Sequence, residues 1–302
     1  MIDLDAYFRR IGFTGPRQPT LASLGAICAA HSAAIAFENI DPLLGRPPLL
    51  APAALQAKLV GQRRGGYCYE QNALLRLVLL ELGMQVTSLG ARVVWMAVPD
   101  APLRSRSHML LRVALPGAPE APYLVDVGFG GHLLGAPLRF VPGLVQHTPG
   151  GTERLVQEGD EFILEAELPA GWAPAYRFTL EPHRPVDYEP LNWFTATHPA
   201  SIFVHNLRLE RLTPTLRAGL LNDRLTLRPR GGAAETRRIE TVHDFAQVLD
   251  EVFDLVPPVP AAALFERIPK NHDGAFIPAP APSQLISVAP EEPPLAHIHP
   301  PL

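Results

Sequence analysis

Leu74, Leu75, Val78, Leu79 and Leu82 recur three and four residues apart. That is the spacing of one buried helix face, and it predicts a helix over 67–82. Gly65 and Gly66 precede it and Gly83 closes it. Weaker helical patterns cover 3–11, behind Asp3, and 20–37, with Thr20 as N-cap after Pro19. A further one covers 52–62. From residue 86 the pattern shifts to short apolar runs, predicting strands over 86–98, 108–115, 123–127, 161–168, 176–180, 207–212 and 225–228. The run PGAPEAP (116–122) reads as a turn. Helices are expected again over 242–253 and 261–267. From Val256 the chain is proline-rich (PPVP, PAPAP, EEPP) and ends HIHPPL. Proline lacks a backbone donor, so a surface-packed or disordered extension with little regular structure is expected there. The expected layout is a helical first part, an antiparallel sheet or barrel, and a mixed last part.

Composition narrows the class. A chain of 302 residues, 47% hydrophobic and 19% charged, is long enough for two or three structural units. Its 26 Lys and Arg against 30 Asp and Glu give a net charge of -4. No broad basic field follows, so nucleic acid is not an expected partner. The first residues show no apolar run behind a basic segment, and no secretory signal is expected. The longest apolar stretch, 73–82, contains Arg76 and Glu81 and is too short to span a bilayer. With two cysteines, Cys28 and Cys68, no disulfide framework is expected. Together these point to the cytoplasm, where a thiol stays reduced.

Cys68 lies in RRGGYCYEQN, where the chain turns and a helix begins. Unpaired N–H groups and the positive end of the helix dipole favour a thiolate there and can stabilise an oxyanion. The alternative is a buried structural cysteine, against which the polar neighbours Glu70, Gln71 and Asn72 argue. Cys28, among Ala and Ile, fits that alternative better. A thiolate nucleophile needs a base, and the base an orienting group. His108 begins the strand HMLLRV and Asp126 ends YLVDVG, so adjacent antiparallel strands can join them. Asp126 can instead cap a turn. His31, His132, His183 and His198 compete with His108 as the base.

VGFGG (127–131) follows a strand but lacks the G-x-G-x-x-G spacing and a following helix, so it is not a dinucleotide loop. Its glycines either admit a substrate to the backbone or form an ordinary turn. His297 and His299 supply two ligands, too few for a specific metal site, and no metal is expected.

Five separated segments resemble the arylamine N-acetyltransferase family. RRGGYCYEQN is similar to its nucleophile motif, SHMLLRV to its histidine strand, and YLVDVGFGG to its aspartate strand and glycine loop. IAFENIDPLLGRP (35–47) and HPASIFVHNLRLERLTP (198–214) also fit. The resemblance spans residues 1–255 and excludes the Pro-rich end. It implies an α+β fold in three parts: a helical bundle (1–85) carrying Cys68, an antiparallel β-barrel (86–205) carrying His108 and Asp126, and an α/β lid (206–255). A Pro-rich C-terminal tail (256–302) follows, and the arrangement is papain-like. It implies Cys68, His108 and Asp126 as catalytic residues and acetyl-coenzyme A as acyl donor. The implied acceptors are small aromatic amines, hydrazines or N-hydroxyarylamines. Phe37, Val94, Phe129 and Phe203 are implied to line the substrate pocket, and Gly130 and Gly131 to lie at the coenzyme. Three alternatives remain: an amide synthase on a carrier-bound polyketide, a papain-like hydrolase or transglutaminase, and a non-catalytic binding module.

Overall fold

A computed structural model describes residues 2–97 and 104–269. Helix α1 (Leu4–Arg10) starts at Asp3, whose carboxylate accepts the Ala6 N–H at 2.9 Å. Helix α2 (Leu21–Ala34) starts at Thr20, whose hydroxyl accepts the Ser23 N–H at 3.2 Å. It ends earlier than the alanine-rich pattern predicts. Ile35 turns extended, and β1 (Phe37–Glu38) pairs antiparallel with a strand from far along the chain. That pairing overrides local helix propensity. Helices α3 (Ile40–Leu43) and α4 (Pro52–Leu55) follow, α4 running into a π-helical turn over Gln56–Gly61. Helix α5 (Cys68–Glu81) buries Leu74, Leu75, Val78 and Leu79 against Tyr7, Phe8, Leu24 and Ile27. Gly83 ends it with φ +83.

The second layer has eight antiparallel strands. They are β2 (Gln85–Val93), β3 (His108–Leu115), β4 (Ala118–Val125), β5 (Leu138–Arg139), β6 (Val145–His147), β7 (Thr152–Glu158), β8 (Glu161–Leu168) and β9 (Gly171–Pro182). Their order is β5-β4-β3-β2-β9-β8-β7-β6. The two outer strands meet through one side chain. Gln146 accepts the Arg139 N–H at 2.8 Å and donates to the Arg139 carbonyl at 3.0 Å. The barrel is thereby nearly closed around Leu89, Leu110, Leu124, Leu164 and Phe178. The turn expected over 116–122 shrinks to Pro116 and Gly117, with Gly117 at φ +85. Pro119 and Pro122 lie inside β4, where a register shift spares ladder donors. Strand β2 stops at Val93 rather than 98. The chain turns at Trp95 and Met96, and residue 98 lies outside the described residues.

Helix α6 (Tyr188–Thr197), which the sequence pattern does not reveal, follows the barrel. A second sheet joins β1 to β10 (Arg208–Leu212), β11 (Leu216–Leu221), β12 (Arg224–Pro229) and β13 (Glu235–Arg238). Helix α7 (Val242–Gln247), continued by a π-helical turn (Val248–Val252), and α8 (Ala261–Arg267) cover it. Leu209, Leu220, Phe245, Phe253 and Leu264 form this second core. The chain beyond Val256 therefore does not begin as a surface extension: α8 packs into the core, with Phe265 5.4 Å from Phe245. Proline does not prevent this, because Pro260 sits at the helix start, where a missing N–H costs nothing. The remaining Pro-rich stretch, with His297 and His299, lies outside the described residues. Among the described residues no helix is long and apolar enough to cross a membrane.

Candidate active site

Cys68 is the first residue of α5. The approach to it requires both glycines. A Cβ on Gly65 would stand 2.1 Å from the Ala36 carbonyl oxygen, and one on Gly66 2.7 Å from Glu70 Oε2. With no side chain, the loop lies against β1. Glu38 N–H donates to Gly66 O at 3.1 Å, and Gly66 N–H to Ala36 O at 3.3 Å. Glu70 accepts the Tyr67 N–H at 3.2 Å, satisfying a helix-start donor. Burial pushes the Glu70 carboxyl up to about 7, against the pull of Lys58 2.6 Å away. Lys58 also meets Asp41 at 2.6 Å. Arg64, 4% exposed, meets Glu38 at 2.6 Å and Asp41 at 3.1 Å. Five ionisable side chains thus stay buried or half-buried beneath the loop because each has a partner.

The polar neighbours of Cys68 do not mark exposure. Cys68 is itself buried, and so are Glu70, Gln71 and Asn72. Gln71 donates to Ala36 O at 2.8 Å and Gly66 O at 3.2 Å, so its oxygen must face His31. His31 Nε2–H donates to that oxygen at 2.6 Å, and Nδ1 accepts the Tyr7 hydroxyl at 2.8 Å. Burial pushes the His31 imidazolium down to about 4.

Strand β3 begins at His108, and Asp126 is the first residue beyond β4. The two strands are antiparallel neighbours, with Leu111 opposite Val125. His108 Nε2–H donates to Asp126 Oδ2 at 2.6 Å, both side chains being buried. Burial pulls the His108 imidazolium down, but the Asp126 charge and hydrogen bond, with help from Cys68, more than offset it and hold it raised. Burial likewise pushes the Asp126 carboxyl up, and His108, Asn72 and the Gly128 N–H outweigh that to keep it low. Cys68 Sγ lies 3.6 Å from the carbonyl of Ser107, the residue before His108. Nε2 is taken by Asp126, so ring Nδ1 is the nitrogen left for the thiol.

Aromatic rings enclose the pair. Phe129 stands 5.2 Å and Tyr176 4.8 Å from the His108 ring. Trp95 meets Phe129 edge-on at 6.2 Å. Phe203 lies 6.1 Å from both Phe37 and Tyr67. Val94, half-buried past the end of β2, donates its N–H to Ala175 at 3.0 Å. The space above Gly130 is filled by Phe37, whose ring would lie 2.4 Å from a Cβ there, and Gly131 faces Trp95 and Phe129. Their carbonyls accept from Arg208 Nε at 2.9 Å and Arg217 Nη2 at 3.0 Å. Both arginines share Glu210, each at 2.7 Å.

The other candidate histidines stand apart. His132 pairs with Glu153 at 2.8 Å, His183 packs over Gly90, and His198 stacks on Phe194. Among the described residues no group of three or more His, Cys, Asp or Glu could hold a metal ion. Sequence reasoning missed Asn72 as a partner of Asp126, and also Tyr176, Trp95 and α6. For Asn72 a signal existed: it lies four residues after Cys68, on the same helix face.

A thiol at a helix start, an imidazole and a carboxylate in this relation are the equipment of covalent acyl transfer. The comparisons with known proteins give the family. The sequence model of the N-acetyltransferase family matches residues 20–259. An arylamine N-acetyltransferase of Mycolicibacterium smegmatis is 47% identical over 252 residues, 83% of this chain and 90% of that protein. A solved structure of M. smegmatis arylamine N-acetyltransferase superposes with a TM-score of 0.85 at 42% identity, covering 90% of this chain and 100% of that one. That of the Mycobacterium marinum enzyme in complex with CoA gives 0.84 at 41% identity, covering 88% and 98%. The chain belongs to the arylamine N-acetyltransferase family and is an acetyltransferase.

Proposed function

We propose that the protein moves the acetyl group of acetyl-coenzyme A to arylamines, arylhydrazines or N-hydroxyarylamines, by a ping-pong reaction through acetyl-Cys68. The observation that carries this reading is the 2.6 Å His108–Asp126 bond, which leaves Nδ1 as the ring nitrogen for the thiol. Asp126 holds the ring in one tautomer and favours its charged form. Cys68 sulfur attacks the thioester carbonyl carbon. The bond to coenzyme A sulfur breaks, and that sulfur leaves with the proton held by His108. In the second half the amine nitrogen attacks the acetyl carbon, gives its proton to His108, and displaces Cys68 sulfur as the amide forms. Amines near neutral charge at pH 7 suit this step, because an ammonium has no lone pair to offer.

Phe129 and Phe203, with Phe37 and Val94, form the apolar side of the pocket in this reading. Gly130 and Gly131 bear on the coenzyme through the loop they shape. A reactive free thiol suits a reducing compartment such as the cytoplasm. Mixing the protein with acetyl-coenzyme A and no amine, then measuring intact mass, tests the reading. One added acetyl group on Cys68 is expected, discharged on addition of an arylamine. No adduct under rapid quench, or an adduct elsewhere, removes Cys68 as nucleophile; discharge at the same rate without amine would mark a hydrolase.

A further inference from the structure

Asn72 is fully buried and lies one helical turn beyond Cys68. Its amide makes three hydrogen bonds to two other segments, β3 and the turn after β4. Nδ2 donates to the Met109 carbonyl at 2.7 Å and to Asp126 Oδ1 at 2.9 Å. Its oxygen accepts the Val127 N–H at 3.2 Å. The amide orientation is fixed by chemistry. Two acceptors face Nδ2 and one donor faces the oxygen, so a flipped amide would set acceptor against acceptor.

We infer that Asn72 is a positioning residue for acetyl transfer, its amide fixing the Asp126 carboxylate and, through it, the aim of His108. The inference rests on the acetyl-Cys68 reading. Asp126 Oδ1 accepts from Asn72 and also from the Gly128 N–H at 2.9 Å. Two donors on one oxygen set the plane of the carboxylate and turn Oδ2 towards His108 Nε2. Phe129 and Tyr176 flank the ring. The second donation, to the residue after His108, ties the same amide to the histidine strand. Helix, histidine and aspartate are thus held in register by one uncharged side chain, which adds no competing charge to the His108–Asp126 pair.

The isosteric variant Asn72→Asp separates positioning from packing. If Asn72 merely fills space, Asn72→Asp keeps its volume and stays close to wild type, while Asn72→Ala leaves a cavity. If it acts by donating, Asn72→Asp places a carboxylate against Asp126 and the Met109 carbonyl and is at least as damaging as Asn72→Ala. The titratable groups facing Asp126 are His108 from β3, Tyr176 from β9 and Cys28 from α2.

The test is Cys68 acetylation by acetyl-coenzyme A, read by rapid-quench intact mass from about pH 5 to about pH 9, in wild type, N72A and N72D, with thermal melts alongside. Asn72→Ala should slow acetylation about ten- to a hundredfold at saturating donor, with KM little changed. The acid limb of its pH profile should move to higher pH, because Asp126 loses a donor. Asn72→Asp should be no faster than Asn72→Ala near neutral pH and recover in part at low pH, where the new carboxyl is protonated. Asn72→Asp matching wild type, or a slowed Asn72→Ala with an unmoved profile, overturns the inference. If Asn72→Ala fails to fold, Asn72→Asp against wild type decides it; failure of both to fold overturns it, since Asn72 would then serve the fold. Wild type that acquires no acetyl group on Cys68 would instead overturn the acetyl-Cys68 reading itself.

Discussion

Gly128 packs so closely on Cys68 that a Cβ at position 128 would stand 2.7 Å from the Cys68 Cα. It would also lie 2.8 Å from Asn72 Nδ2 and 3.1 Å from the Cys68 carbonyl oxygen. Two of those three neighbours are backbone, which cannot swing aside. Gly128→Ala must therefore part the glycine loop from helix α5. We expect a stability loss of about 1–3 kcal/mol and a larger fractional loss of acetyl transfer. A melting curve and an acetyl-transfer assay check both, and unchanged activity would show that the loop and helix move independently.

Asp126→Asn should leave the fold largely intact and lower acetyl transfer by roughly two or more powers of ten. An amide NH₂ facing His108 Nε2 favours the wrong tautomer and cannot stabilise the imidazolium. Steady-state rates beside a circular dichroism spectrum decide it. Near-normal rates in a folded variant would remove Asp126 from the mechanism.

The two cysteines are internal controls for each other. Cys28 is 1% exposed, and burial, with a smaller effect from Asp126, pushes its thiol up to about 12. A small alkylating agent at about pH 6 should mark Cys68 and spare Cys28, and His108→Ala should slow that marking. Peptide mapping reads the result. Equal labelling, or labelling of Cys68 indifferent to His108→Ala, would contradict the proposed pairing.

His31 makes stability depend on pH. Burial pushes its imidazolium from 6.5 down to about 4. As pH falls through 6.5 the unfolded chain takes up a proton that the folded chain refuses until about 4. The stabilisation is therefore present above 6.5 and lost as pH falls towards 4, by about 3 kcal/mol in all. Urea unfolding of wild type and His31→Gln across that window should show a slope smaller by about one proton in the variant. Equal slopes would show that His31 does not carry the effect.

Much of the site was legible because its signals are local. Paired glycines before an apolar helix mark Cys68, and strand ends mark His108 and Asp126. What stayed hidden depends on partners far along the chain. Asn72 looked like one more polar neighbour until Asp126, 54 residues on, came within reach. Glu38, Asp41, Lys58, Arg64 and Glu70 carry no local signal of their pairing, and only folding brings them around one another. Helix α6 carries a proline in its first turn, and of its buried residues Tyr188, Asn192, Thr195 and Ala196 only the tyrosine is large and hydrophobic. It is held from outside: Tyr188 hydroxyl donates to Leu89 O at 3.0 Å and Asn192 to Pro48 O at 2.9 Å. The helix expected over 261–267 is α8, but the Pro-rich composition after Val256 hid that its Leu264 and Phe265 join the second core.

The pairing of β1 with β10 also sets a schedule for biosynthesis. Phe37 and Glu38 leave the ribosome about 170 residues before Glu210 and Leu209, their partners. At roughly 5–20 residues per second, that is a wait of roughly 10–35 s. During it the loop leading to Cys68 can lean on β1, but β1 has no neighbour on its other edge. A nascent chain stalled before residue 208 would carry Cys68, His108 and Asp126 complete, yet lack the strand that seats β1. Maturation of the thiol site thus belongs to the last third of translation, although Cys68, His108 and Asp126 are all made in the first half.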